Sequence, residues 1–553
     1  MIRVVPLPYK IIEGNGYFPV PKGSGLTVDD FDHSEKLGWL DFIKSDNLVI
    51  DNDNSECYKL DIKENRVKIY APTAVGAFYG FITLMQLSHT YEGKIPCMII
   101  EDKPLYRYRG FLLDVARYFF SVKDVKKLAD LLAVHKINKL HLHLTDDQGW
   151  RVEIKKYPLL ATHGSERSRT NFNLKKQSGF YTQNDIREIV AYCKTRGIEV
   201  IPEIDMPGHV QSALSCYPHL GCFDRLLPVA KSWGVKHDIL CMGKERTYRF
   251  VYDVIDEIAE LFDSQYIHIG GDEVYMTRTE ICPHCQRKMQ ELGLENEKQL
   301  KYYFIKKICA YVQSKGKTPI VWNVDAPIDE TTNGTLWQVW EPTNDAKALA
   351  SELNRGKLVI NSDSTHLYLD FPYGVTNLEK TYNNPPEIEY LAPDLMAGVE
   401  CCLWTEYVPD LKKAIFLTLP RLGAICENMW SPKGVRLWGN FKARLGWYYQ
   451  YMTSLGYEPA PLGRTMPNAY YSLVDGVKWN SRWIHWDGLH NVIDNALVAR
   501  KAKKQAETMQ ENNLPTDPTT KIKPDEITDS NVAIEVVADD ETTARTDENL
   551  EEE

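Results

Sequence analysis

No run of apolar residues in this chain approaches the roughly 20 needed to cross a bilayer as a helix. The opening Met1-Ile-Arg-Val-Val-Pro6 also lacks the basic start and long apolar stretch of a secretory signal. A cytoplasmic location is therefore expected, with an exported one left open for a chain whose leader has been removed. Surplus positive charge is missing as well. The formal net charge is −11, and from Pro515 onward 13 acids face only Lys521, Lys523 and Arg545, so the rest of the chain is near neutral. Such a surface offers little to a nucleic-acid backbone and gives no reason to expect an anionic membrane as partner. The twelve cysteines form no regular framework, which suits reduced thiols. Cys282 and Cys285, in Cys-Pro-His-Cys, have half the ligand spacing of a zinc site; no second pair with that spacing exists, and they are read as a plain loop. Neither a phosphate-cradling glycine loop nor the elbow of a serine hydrolase is present.

What is present is a long alternation of strand and helix patterns. Residues 1–103 mix strand-like runs (Asn47 to Ile50, Val67 to Tyr70) with a helix over Val75 to Leu87, and read as a small α/β domain. The polar, proline-ended stretch from Ile99 to Pro104 suits a boundary. Over residues 104–455 eight strand candidates follow, beginning at Gly110, Lys139, Glu199, Tyr266, Thr318, Thr335, Leu358 and Gly398. Helical patterns separate them, including Val122 to His135 behind a Ser121 cap, Asn184 to Thr195, Tyr248 to Phe262, Glu297 to Ser314 and Asp345 to Asn354. Eight such units predict a (β/α)8 TIM barrel; a doubly wound open sheet is the structural alternative. Residues 456–512 form a partly helical extension, with a charged helix expected over Lys501 to Asn512. Residues 513–553, acidic and free of aromatics, have too little apolar surface to fold. In the extension, Trp479, Trp483 and Trp486 are either a sugar-stacking patch or edge residues packed onto the domain.

A barrel requires its chemistry at the C-terminal ends of the strands. There the chain places Asp114 and Arg117, then His141, His143, Asp146 and Asp147, then Glu203, Asp205 and His209. Asp272 and Glu273 follow Gly270-Gly271. Further along come Trp322, Trp340, Tyr368, Asp370, Trp404 and Glu406. An arginine such as Arg117 clasps two hydroxyls, or else makes a structural ion pair with Asp114. Histidines at i and i+2, such as His141 and His143, share one face of a strand and raise the rival reading of a metal-dependent barrel hydrolase. Tryptophans recurring with carboxylates suit a pyranose ring, which has an apolar face and a rim of hydroxyls.

Six of these stretches, in order, resemble the family 20 glycoside hydrolases, the β-N-acetylhexosaminidases: Arg109 to Arg117, His141 to Trp150, Pro202 to His209, His268 to Glu273, Tyr368 to Asp370 and Trp404 to Glu406. The resemblance covers about residues 1 to 455. It implies hydrolysis of terminal β-linked GlcNAc or GalNAc from a glycan, with retention, the 2-acetamido oxygen of the sugar serving as nucleophile in place of an enzyme carboxylate. By the same resemblance Glu273 is the general acid and base, Asp272 orients the acetamido group, and Tyr368 binds its oxygen. His209 and Asp146 tune Glu273. Arg117, Asp370 and Glu406 hold hydroxyls, and Trp322, Trp340 and Trp404 wall the pocket; Trp337 competes with Trp340 on spacing alone. No cofactor and no metal are implied. Leu142 and Tyr118 depart from residues frequent in relatives. A non-catalytic glycan-binding protein that kept the barrel is the third reading.

Overall fold

The computed structural model describes residues 2–20, 26–50, 55–91, 93–170, 175–323, 334–341 and 346–481. Trp483, Trp486, the expected helix from Lys501 and the acidic tail lie outside the described residues.

The first five strands are β1 (Lys10–Pro19), β2 (Leu40–Lys44), β3 (Tyr58–Lys63), β4 (Arg66–Ala71) and β5 (Lys94–Asp102), ordered β1-β5-β3-β4-β2 in one sheet. The helix Ala74–Thr90 packs on this sheet through a nearly continuous buried stretch from Phe78 to Leu87. One expected strand is displaced. Asn47 to Ile50 follows a turn closed by the Leu48 amide on the Ser45 carbonyl, and the strand is instead β2, which pairs in parallel with β4. Asp46 and Asn47 are turn formers, and the more apolar Leu40-Asp-Phe-Ile run takes the sheet edge. Strand β5 also extends through Ile99 to Asp102, so the connection to the next sheet is confined to residues 103–107.

The second sheet is a closed parallel barrel of β6 (Tyr108–Asp114), β7 (Lys139–His143), β10 (Glu199–Glu203), β11 (Tyr266–His268), β12 (Thr318–Trp322), β13 (Leu336–Val339), β14 (Val359–Asn361) and β15 (Met396–Leu403). Two short strands, β8 (Thr145–Asp146) and β9 (Gly149–Trp150), form a ribbon above β7. The eight barrel strands agree with the expected ones to within a residue or two. The helices Val122–Val134 and Gln183–Thr195 open on capping boxes, Ser121 with Asp124 and Thr182 with Asp185, which satisfy amides the first turn leaves free.

Inside the barrel the side chains lie in layers set by the period of two along each strand. Tyr108, Ile201, Ile320, Leu336 and Ile360 make an apolar floor. Above it Glu400 accepts from Tyr108 Oη at 2.7 Å, His141 Nδ1 at 2.8 Å and Gln338 Nε2 at 2.7 Å, a buried carboxylate with every neighbour a donor. The upper layer contains Leu112, Trp322, Tyr368 and Cys402. A buried junction joins the two sheets: Asp102, at the end of β5, accepts from Lys136 Nζ at 3.0 Å and Trp430 Nε1 at 2.9 Å, while Arg109 Nη1 donates to Glu56 at 2.8 Å. The site above therefore rests on a base of buried, paired charges.

Candidate active site

Strand β11 ends at His268, and the chain turns through Gly270 and Gly271 with φ of +66° and +104°. The turn requires glycine, because a Cβ on Gly270 would lie 1.7 Å from Asp205 Oδ1. The same Asp205 oxygen accepts from the Gly271 amide at 3.1 Å, joining the ends of β10 and β11. Asp272 and Glu273 leave this turn. Glu273 has a φ of +46° and His209, after β10, one of +53°, backbone conformations that a side chain tolerates only where its surroundings impose them.

These two strained residues face each other. His209 Nε2 lies 3.5 Å from Glu273 Oε2, and its Nδ1 lies 3.4 Å from Asp146 Oδ1 and 3.6 Å from Asp147 Oδ2. Those Nδ1 contacts are electrostatic rather than aligned hydrogen bonds. Burial disfavours the imidazolium, yet the Asp146, Asp147 and Glu273 carboxylates hold the His209 pKa well above its ordinary value. Burial likewise pushes the Glu273 carboxyl up, but His209 and Arg117 outweigh it and keep it below the ordinary carboxylate range. Asp272 goes the other way. Burial, with the nearby charges of Glu273 and Glu203, raises it to about 6 against the pull of His209. Two adjacent acids thus have their proton affinities driven apart, with the higher one on Asp272.

Beneath the pair sits a carboxylate that the strand-end pattern marks but leaves without a role. Glu203, the last residue of β10, accepts from His143 Nδ1 at 2.5 Å and Trp322 Nε1 at 2.8 Å, and lies 3.2 Å from His141 Nε2 and 3.1 Å from His268 Nδ1. His143 Nε2 continues the chain to Asp146 Oδ2 at 2.9 Å. Both ring nitrogens of His143 are thereby committed to carboxylates, and the histidines expected as a possible metal pair serve as bridges between acids. Only the position of Glu203 at a strand end hinted at this. Its hub role depends on four strands converging.

Arg117 makes the ion pair with Asp114, one of the two parts that the sequence left open. Asp114 Oδ1 accepts from the Ala116 and Arg117 amides at 2.9 and 3.0 Å, and its Oδ2 accepts from the Thr405 amide at 3.0 Å, which ties the end of β6 to that of β15. The guanidinium reaches Asp146 Oδ2 at 2.7 Å and Asp114 Oδ2 at 3.5 Å, and lies 5.1 Å over the Trp404 ring. Glu406 is close enough to feel Arg117, although burial still raises its pKa. Trp322, Trp340, Trp404 and Tyr368 gather in one cluster with Phe371. Trp337 faces the other way, into the packing between barrel and helices. Asp370 follows Tyr368 on the loop after β14, close enough for its charge to act on the phenol. Trp479 packs on Phe371 at 4.5 Å, and Asp475 accepts from the Gly374 amide at 3.1 Å, so the helix Ala469–Ser481 braces that loop. Arg117 Nε, Asp272 Oδ1 and Trp340 Nε1 are buried with no hydrogen-bond partner among the described residues, a cost that a polar ligand would remove.

Comparison with known proteins gives this geometry its family. The catalytic-domain model of glycosyl hydrolase family 20 matches residues 106–433, and the domain 2 model of the same family matches residues 40–103. The chain belongs to glycosyl hydrolase family 20. It is 35% identical over 495 residues to a β-hexosaminidase of Porphyromonas gingivalis, covering 80% of this chain and 62% of that protein's own length. It is 34% identical over 416 residues to a β-hexosaminidase of Akkermansia muciniphila, covering 72% and 84% respectively. A mutant Streptomyces plicatus β-hexosaminidase solved with its product GlcNAc superposes with a TM-score of 0.72 at 30% identity, covering 84% of this chain and 97% of that one. The barrel and the small sheet of this family 20 chain thus have counterparts of known structure.

Proposed function

We propose that this family 20 chain is a retaining exo-β-N-acetylhexosaminidase that removes a terminal β-linked GlcNAc or GalNAc from a glycan. The observation that carries the proposal is the unequal pair at the end of β11. Asp272 offers a buried acceptor with no donor, and Glu273 touches a charged histidine. In this reading the 2-acetamido oxygen attacks C1 and Glu273 gives its proton to the departing oxygen. Asp272 accepts from the acetamido N–H and opposes the positive charge as the oxazolinium ring closes, while Tyr368 donates to the attacking oxygen. Water then adds at C1 with Glu273 as base, the ring reopens, and the β configuration is restored. A nucleophile tethered to the substrate needs no enzyme carboxylate in its place, only orientation.

The electrostatics support the proton inventory. Asp146 and Asp147 favour a proton on His209, 3.5 Å from the carboxylate that needs it. Glu273 is 41% exposed, so a bound sugar would strip water from it and raise its proton affinity toward that of a general acid. Arg117, Asp370 and Glu406 hold hydroxyls, with Trp322, Trp340 and Trp404 against the apolar face of the ring.

Aryl β-glycosides of GlcNAc, GalNAc and glucose test the proposal. Release from both N-acetylated sugars and none from the glucoside is the expected result, since glucose lacks the nucleophile. Equal cleavage of the glucoside would overturn it. The pH profile is a second check. Asp272 must be ionised, and its pKa is raised to about 6; kcat/KM therefore falls roughly tenfold per unit as the pH drops below that value. The alkaline limb, set by loss of the His209–Glu273 proton, lies above the ordinary histidine range.

A further inference from the structure

Cys282 and Cys285 are not in a plain loop. Cys282 caps the helix Pro283–Leu292, Cys285 lies in its first turn, and both are fully buried. The fold brings two single cysteines to them from the long segment after β10: Cys222, just past the turn Pro218–Leu220, and Cys241, just before the helix Glu245–Leu261. All four sulfurs lie within 4.8 Å of one another. Cys241 Sγ is 3.7 Å from Cys282 Sγ and 3.6 Å from Cys285 Sγ. Four thiolates at about 2.3 Å from a tetrahedral zinc ion stand about 3.8 Å apart, whereas a disulfide requires about 2.05 Å. The spacing of Cys241 Sγ to Cys282 Sγ and Cys285 Sγ is that of the coordination polyhedron.

One backbone donor points into the cluster. The Cys285 amide donates to Cys282 Sγ. Lys244, three residues past Cys241, ties this turn to the segment of Cys222, donating to the Gly221 carbonyl and to Asp224 Oδ1 at 2.6 Å each. Gly243 is pressed onto the turn of Cys282 and Cys285 so closely that a Cβ there would lie 2.3 Å from the His284 carbonyl. We propose that Cys222, Cys241, Cys282 and Cys285 form a structural zinc site that fastens the loop after β10 to the loop after β11. The site lies outside the chemistry, but the loops it joins are the ones that carry His209 and Glu273. Leu240 extends the link, its amide donating to the Pro207 carbonyl at 2.9 Å, two residues from His209. Fixing both loops holds the 3.5 Å approach of His209 to Glu273 without a ligand from either residue.

Elemental analysis of the full chain, purified under reducing conditions from zinc-supplemented cells, is expected to find one zinc per chain that survives dialysis against a mild chelator. Refilling with Co(II) should give the visible bands and the near-ultraviolet thiolate charge transfer of a tetrahedral sulfur site. Cys241→Ser should lose both signals. Cys309→Ser, a buried cysteine outside the cluster, should keep them and so controls for folding. Substoichiometric zinc in the unmutated protein would overturn the proposal. So would four thiols that titrate freely under native conditions, or disulfides among these cysteines by mass.

Discussion

Glu273→Gln is expected to lower kcat by about 10² to 10⁴ on substrates with a sugar leaving group, the range of positioned proton transfer. Glutamine keeps the size of the side chain and its approach to His209, so the loss measures the missing proton rather than a collapsed site. The size of the effect should depend on the leaving group. An acidic nitrophenol departs with little help, and kcat on its glycoside should fall least; kcat on chitobiose, whose leaving GlcNAc would depart as an alkoxide without protonation, should fall most. The alkaline limb of the pH profile should vanish in the variant, because the His209–Glu273 pair no longer has a proton to deliver. Steady-state rates on two leaving groups of different acidity check this. Equal losses on both would remove Glu273 from the role of acid.

Asp272→Asn is expected to cost about 10² to 10³ in kcat, the price of a misplaced or missing transition-state partner. The amide is isosteric and retains a carbonyl for the acetamido N–H, but no longer opposes the positive charge of the closing ring. Because that charge develops only on the way to the transition state, KM should move far less than kcat. The variant should also lose the acid limb near pH 6, whose origin is the buried Asp272 carboxyl itself. A variant that kept this limb, or turned over at the normal rate, would assign the charge elsewhere, with Glu203 and Asp205 the nearest buried alternatives.

The sequence by itself determined the order of strands and helices, since a period of two in Lys139–His143 and of 3.6 in Glu297–Ser314 is a local property. It also located Asp272 and Glu273, because two glycines before adjacent acids mark a strand end that turns sharply. Local pattern failed at Asn47 to Ile50, where turn chemistry in the preceding residues decided against a strand. It was silent where function depends on convergence. Glu203 becomes the hub of three histidines and Trp322 only when β7, β10, β11 and β12 close side by side. Cys222 and Cys241 belong to no motif along the chain, and meet Cys282 and Cys285 because the segments after β10 and β11 fold over neighbouring strand ends. Trp340 separates from Trp337 for the same reason: one side chain meets the mouth of the barrel and the other the packed layer outside it. Spacing along a chain fixes which face a residue takes, while the partner waiting on that face is supplied by segments tens to hundreds of residues away.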